Sequence, residues 1–554
     1  MYLRTTQRKN KDGSVTKYYQ LAHNVRHPET KRTTAKIIHS FGRADELDRE
    51  QLVRLCRSIA RVCGVEVIDP LDAACSKGGL PADVKILRTL EYGTVRVIAD
   101  LWEQLGIGKV IREATHDKGV DYDKAILAMV ANRLCCPESK LGVWERWLNT
   151  VYLPECGHFK LRQLYEAMDI LHENAEEIEK QIFHQVANLL NLSVDIIFYD
   201  TTTASFSIDY EDEDDGLRQY GHAKEGFWAP QIVVALAVTR EGIPVKSWVF
   251  PGNTADVSTV ETIKKDLRGW NLGRALFVAD SGMNSTDNRT ELSKACGTYL
   301  LATRMASVSE VKQTVLSTPG RYREISESLH AKEVLLENGK RYILCYNPNE
   351  AKRQALHREE LVTMLEEELS KHKDRKISNK WAIELLASRR FKRYLAITEH
   401  NTIRIDRKAI KDAAKYDGKW VLETNDKNIS VEDAACGYRG LMVIERCFRS
   451  LKKTQIKMMP MYHWLPDRIE SHVKICVLAL LIERIAELAC DKPWRKIRLV
   501  LSKIQATEFA TPGHHFYQLN ELPNEAKSTI KQLAFACPRK VFGIQTVKKD
   551  TAMM

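Results

Sequence analysis

Apolar residues recur along this chain in two rhythms, and the change between them divides it. Over residues 45–192 the spacing is helical: YGTVRVIADLWEQLGI and KAILAMVANRLCC place apolar residues three and four apart. From Val194 the rhythm becomes that of strands. Residues 196–199 are apolar and run straight into Asp200 and three threonines, a buried strand that ends on a carboxylate. Residues 275–279 do the same and end in Asp280, Ser281 and Gly282. Between them, QIVVALAVTREGIPVKSWVF reads as two strands about a turn at Glu241 and Gly242, which with VDIIFYD makes an antiparallel meander. TADVSTVETIKKDLRGW predicts a helix, RALFVAD a fourth strand, SGMNSTDNRTELSKAC a further helix and GTYLLATR a fifth strand.

Strand, strand, strand, helix, strand, helix, strand is the order of a ribonuclease H-like α/β core. Its first and fourth strands lie side by side, so Asp200 and Asp280 are expected to converge although they stand 80 positions apart. An ionised carboxylate at the mouth of a buried strand loses hydration unless a cation or donor meets it, so two such strands point to a metal site. The rest of the chain is arranged around this core. Residues 1–45 alternate β-prone pieces with basic turns and predict a β-hairpin module; 46–192 is a helical, DNA-binding candidate region with a linker-like cluster at 75–83. The core occupies 193–305 and 431–490, interrupted by a β-rich insertion at 306–430 with a hairpin signal at Asn338–Gly339 and one highly charged helix; 491–554 is read as a helical C-terminus.

Composition narrows the partners. Lys plus Arg number 84 against 73 Asp plus Glu, a formal charge of +11, which favours a polyanion. Thirteen cysteines without a C-x-x-C pair argue against a zinc site or a disulfide framework. The longest apolar runs, around IVVALAV and VLALLI, fall short of a membrane span, and the N-terminus has no apolar signal region, so a cytoplasmic protein is expected.

The third acidic position comes from GYRGLMVIERCFRSLKKTQIKMMP, which predicts one helix over 437–460. Leu441, Ile444, Phe448 and Leu451 mark a buried stripe; Tyr438, Glu445, Arg449 and Lys452 mark a neighbouring one. Seven residues separate Glu445 from Lys452, about two turns, or ~10 Å at ~1.5 Å per residue. Such spacing suits a carboxylate on a metal and an ammonium on a nearby phosphate. His463 and His472 read as hydrogen-bonded structural groups.

VDIIFYD, LFVADSGMNS and the Tyr438, Glu445, Lys452 register resemble the DDE-type transposases of bacterial insertion sequences, in particular the group with a Tyr-Arg-Glu-Lys signature and a β-rich insertion before its catalytic Glu. FPGNTADVSTV, the YHW at 462–464 and RIESHVKICVLALLI resemble the elongated members of that group. The resemblance implies Asp200, Asp280 and Glu445 as catalytic residues that hold two Mg²⁺ or Mn²⁺ ions, and Tyr438 and Lys452 as contacts to DNA. The signature's Arg falls on Leu441, so Arg439 and Arg446 stand as candidates to replace it, and Arg449 as a further DNA contact. It further implies double-stranded DNA, transposon end and target, as partner, no membrane, a dimer or larger assembly on DNA, and a place on the nucleoid. Trp420 in the insertion is a candidate to stack on a flipped base. Two other classes remain: a transposase-derived repressor that binds without cleaving, and a ribonuclease H-like nuclease.

If basic residues carry the binding, log affinity for duplex DNA falls linearly with log salt, at a slope of ~0.9 per phosphate neutralised. Fluorescence anisotropy across a salt series measures it, and a flat response would remove nucleic acid as the partner.

Overall fold

A computed structural model describes residues 2–10, 15–26, 33–43, 84–115 and 121–546, except 193, 209, 214–215 and 373, with short pieces between 55 and 63. The linker-like cluster at 75–83 lies outside the described residues. Two compact units result, Met1–Lys85 and Ile86–Met554. In the first, β1 (Tyr2–Lys9), β2 (Val15–Arg26) and β3 (Thr33–Arg43) form a three-stranded antiparallel sheet, one strand more than a hairpin.

The second unit begins with β4 (Lys85–Glu91) and six helices, α1 (Gly93–Gln104), α2 (Ile107–Ala114), α3 (Tyr122–Cys135), α4 (Lys140–Glu145), α5 (Leu161–Glu173) and α6 (Ala175–Leu189). Next comes the sheet that organises everything downstream. Its first strands are β5 (Ile196–Ser205), β6 (Gln219–His222), β7 (Trp228–Thr239) and β8 (Pro244–Pro251). β7 is antiparallel to β5 along one edge and to β8 and the short β6 along the other, so the predicted meander carries one extra strand. Helix α7 (Val260–Gly269) leads to β9 (Leu276–Ala279), and α8 (Thr286–Ser293) to β10 (Tyr299–Thr303). β9 lies between β5 and β10 and is parallel to both. First and fourth predicted core strands are therefore neighbours.

Alternation along these strands buries both faces. Ile196, Phe198, Leu276 and Val278 belong to one core, while Ile197, Tyr199, Phe277 and Ala279 belong to a second one beneath α7 and α8. Burial of each large apolar side chain contributes ~1.5–3 kcal/mol.

The segment that interrupts the core enlarges its sheet. β11 (Arg323–Ser326), β12 (Leu329–Leu335) and β13 (Arg341–Tyr346) form a meander, and Gly339 turns the second hairpin at φ +79°. The charged helix is α9 (Pro348–Lys371), which buries only Leu361, Leu365 and Leu369, one residue per turn. Helix α10 (Lys380–Ala387), the small hairpin β14 (Leu395–Ile397) and β15 (Ile403–Ile405), and α11 (Arg407–Ala414) follow. β16 (Lys419–Thr424) then pairs antiparallel with both β13 and β10, so that one sheet of ten strands runs from the insertion into the core.

The helix predicted over 437–460 is three pieces: α12 (Val431–Arg439), α13 (Met442–Arg449) and a π-helical turn, Ser450–Thr454. Gly440 and Leu441 divide the first two. An added Cβ at Gly440 would lie 2.4 Å from the Phe198 ring and 2.9 Å from the Gly437 carbonyl, so only glycine lets the helix pair approach β5 this closely. Helix α14 (Pro466–Cys490) is buried around most of its circumference, and its Glu483 accepts from the Ser450 hydroxyl at 2.6 and 2.7 Å, which ties the π turn to it. No helix among the described residues is long and apolar enough to cross a membrane.

The expected helical C-terminus requires correction. After α15 (Trp494–Leu501), β17 (Gln505–Ala510), β18 (His514–Leu519) and β19 (Val541–Thr546) build a four-stranded sheet with β4, and α16 (Asn524–Gln532) lies between the last two. Thr511-Pro-Gly turns the β17–β18 hairpin, and aromatics Phe509, Phe516, Tyr517 and Phe542 pack across it.

Gly440→Ala is expected to destabilise the protein by ~1–3 kcal/mol, through overpacking against Phe198. Urea denaturation followed by tryptophan fluorescence would measure the loss, and an unchanged midpoint would show that the helix pair shifts freely.

Candidate active site

Strand pairing puts two carboxylates together. Ile196, Ile197 and Phe198 pair with Leu276, Phe277 and Val278, and two further steps of this register set Asp200 opposite Asp280. Neighbouring strands stand ~4.8 Å apart. Alternation places both on the face of Phe198 and Val278, the face that α12 and α13 cover.

Asp280 directly follows β9 and precedes a 3₁₀ turn, Ser281–Met283. Tyr438 of α12 donates its hydroxyl to Asp280 Oδ1 at 3.1 Å. Burial, then the negative charges of Asp280, Glu445 and Asp200, push the Tyr438 phenol far above its ordinary range. That hydrogen bond links α12 to the carboxylate that follows β9. Glu445 is exposed on α13.

Asp200 is the most confined of the three. Burial pushes its carboxyl up; the Lys224 ammonium and the Thr201 amide, which donates to Oδ1 at 2.7 Å, act against that, and Asp256 and Asp280 add to it. Lys224 Nζ stands 3.6 Å from Asp200 and 3.6 Å from Asp256. It also donates to Thr201 Oγ1 at 2.8 Å, and that hydroxyl donates to Asp256 Oδ1. Lys224, Asp256 and Thr201 did not emerge from the sequence as site residues. Asp256 sits within FPGNTADVSTV, but its role depends on a neighbour from another element.

Lys452 lies in the π turn. Its Nζ donates to Thr202 Oγ1 at 3.3 Å and to the Glu225 carboxylate. Lys452 thus reaches back to the strand that carries Asp200.

The candidate arginines disperse. Arg439 donates to Ser328 at 3.2 Å, between β11 and β12. Arg446 and Arg449 line a cleft of about 570 Å³ with Arg484, Lys492 and Glu483. Leu441 is buried. Trp420 is partly buried against the main core, and its indole nitrogen has no partner. His472 is buried between the Met458 carbonyl at 2.9 Å and Lys140 at 3.0 Å; His463 packs beside it.

Among the described residues, no three His, Cys, Asp or Glu side chains are gathered tightly enough to hold one metal ion. The donor set nevertheless fits a hard cation. It is all carboxylate, and the half-buried Asp200 already has an ammonium 3.6 Å away.

Comparison with known proteins identifies the family. Residues 3–68 match the N-terminal domain of IS1634 family transposases, and residues 195–482 match the transposase DDE domain. No curated protein matches the chain. Among solved structures, a piggyBac transposase synaptic complex with hairpin DNA is similar at TM-score 0.33 and 10% identity, over 74% of this chain and 80% of that one. The DDE match spans more than half of the chain, from the strand of Asp200 through α14, and the protein belongs to the DDE transposase family.

Proposed function

We propose that this protein cuts the ends of an insertion sequence and joins them to target DNA, with Asp200, Asp280 and Glu445 as its catalytic carboxylates. The observation that supports this reading is the strand register that sets Asp200 level with Asp280, with Tyr438 donating to Asp280 from the helix just before the one that bears Glu445. Asp200 is held against repulsion from Asp280 and Asp256, an arrangement of no use to a protein that only binds DNA.

Asp200, Asp280 and Glu445 would hold two Mg²⁺ or Mn²⁺ ions, which when bound neutralise charge at phosphorus and acidify the attacking water or 3′-hydroxyl. Tyr438 stays protonated at neutral pH because burial and acidic neighbours hold its pKa high, so it donates to Asp280 and keeps that carboxylate in place. Lys452, anchored at Thr202, offers its ammonium to a phosphate oxygen beside the scissile bond. Arg446 and Arg449 extend the positive surface along α13 for the DNA backbone, in the role the signature gives to the position of Leu441. Tyr438 and Lys452 also favour a transposase of the Tyr-Arg-Glu-Lys group over a ribonuclease H-like nuclease, which needs neither. A pair of ends calls for two or more subunits, and the work would take place in the cytoplasm on nucleoid DNA.

Asp200→Ala, Asp280→Ala and Glu445→Ala are each expected to abolish cleavage of a labelled end duplex while gel-shift binding survives. A variant that still nicks at the wild-type rate would strike that residue from the site.

Lys452→Ala and Glu445→Gln should part in opposite ways. The first is expected to weaken end binding by roughly tenfold or more, the loss of a charge-assisted hydrogen bond, and to leave calorimetric Mn²⁺ affinity unchanged. The second should lose Mn²⁺ affinity and keep end binding. Equal loss of Mn²⁺ in both variants would overturn the assignment of Glu445.

A further inference from the structure

The turn that closes the β6–β7 hairpin carries adjacent, opposite charges, and each meets a residue of the site. The turn itself is pinned. Ala223 N donates to the Phe227 carbonyl at 2.8 Å, Gly226 N to the Ala223 carbonyl at 2.8 Å, and Lys224 N to Thr203 Oγ1 on β5 at 3.0 Å. Gly226 takes φ +95°, a conformation that side chains disfavour, so the two charged residues before it project from a defined backbone.

Lys224 places its ammonium 3.6 Å from both Asp200 and Asp256. Glu225 places a carboxylate on Lys452, a side chain only 14% exposed. An ammonium between carboxylates brings the sign, and half the charge, of a divalent cation. A carboxylate on a lysine is the charge a phosphate oxygen would bring. The turn thus supplies from within the chain the two charges that the substrate and its cation would supply from outside, in the same order across the site. A phosphodiester at Lys452 would face the Glu225 anion at contact distance, and like charges at that separation repel. Displacement exposes little apolar surface, since the flanking Phe227 and Trp228 are already 50% and 70% exposed.

We propose that the β6–β7 turn is a built-in mimic of the bound substrate: Glu225 holds Lys452 until a phosphodiester replaces it, and Lys224 holds Asp200 and Asp256 until a divalent cation replaces it. This rests on the assignment of Asp200 and Lys452 to the site. The turn sets a threshold that DNA and cation together must overcome, which keeps the uncharged-by-metal site from binding loose phosphate.

The test uses the full chain, a fluorescent duplex of the element's own end in metal-free buffer, and Mn²⁺ alone in calorimetry. Glu225→Gln is isosteric and leaves the fold intact; it is expected to bind the duplex roughly two- to fivefold tighter, the range of a partly exposed ion pair. The gain should vanish in the Glu225→Gln/Lys452→Ala double variant, because the competitor then has nothing to compete for. Lys224→Met should bind Mn²⁺ more tightly than wild type. If Glu225→Gln binds DNA no better while Lys452→Ala binds it worse, the mimic is wrong and the phosphate role of Lys452 stands. If Lys452→Ala has no effect, the underlying assignment fails instead. Weaker Mn²⁺ binding by Lys224→Met would show that Lys224 supports the cation's place and does not occupy it.

Discussion

The parallel pairing of β5 with β9 is the constraint on which the rest of this structure depends. Both strands are buried on both faces, so their register is set by two cores at once, and a slip of one residue would drive Phe198 and Tyr199 into the wrong ones. That register brings Asp200 and Asp280 level. Everything nearer the chemistry is added to this pair: α12 and α13 dock on the same face through the gap left by Gly440, and α14 holds the π turn through Glu483 and Ser450.

The electrostatic consequence follows from the packing. Carboxylates fixed by one strand pair cannot separate, Asp200 standing within β5 and not at its end, and burial raises the cost of ionising it. The protein meets that cost with donors already present, the Thr201 amide and the Lys224 ammonium, and it shields Asp280 with the Tyr438 hydroxyl. A site of this kind is preorganised for positive charge whatever its source.

The insertion is coupled to the core in a way its position in the chain conceals. It leaves after β10 and returns through β16, which pairs with β10 itself, so its strands extend the core sheet. The strand order β13–β16–β10–β9–β5 is an unbroken hydrogen-bonded path between the insertion and Asp200. Helix α12 follows directly from β16, and the acid-bearing α13 therefore starts from a point set by the same sheet.

Much of this was legible in the sequence, because strand and helix periods are local properties. The β5, β7, β8, β9 and β10 strands, the Asn338–Gly339 turn and the charged α9 all follow from apolar spacing and turn residues within a few positions of one another. Asp200, Asp280 and Glu445 stood out because each sits at a fixed offset from an apolar run. What the sequence could not decide depended on contact between distant segments. The 437–460 pattern is helical throughout; only the close approach of Gly440 to Phe198 divides it, and only the tie to Glu483 accompanies its end in a π turn. The C-terminal strands pair among themselves and gain a fourth strand, β4, from more than 400 positions away. Lys224, Glu225 and Asp256 are ordinary charged residues in their local context, and they acquire a role only because the folded β6–β7 turn lies across β5. A charge is written in the sequence, but its partner is chosen by the tertiary structure, since Coulombic and hydrogen-bonding energies depend on distance in space and not along the chain.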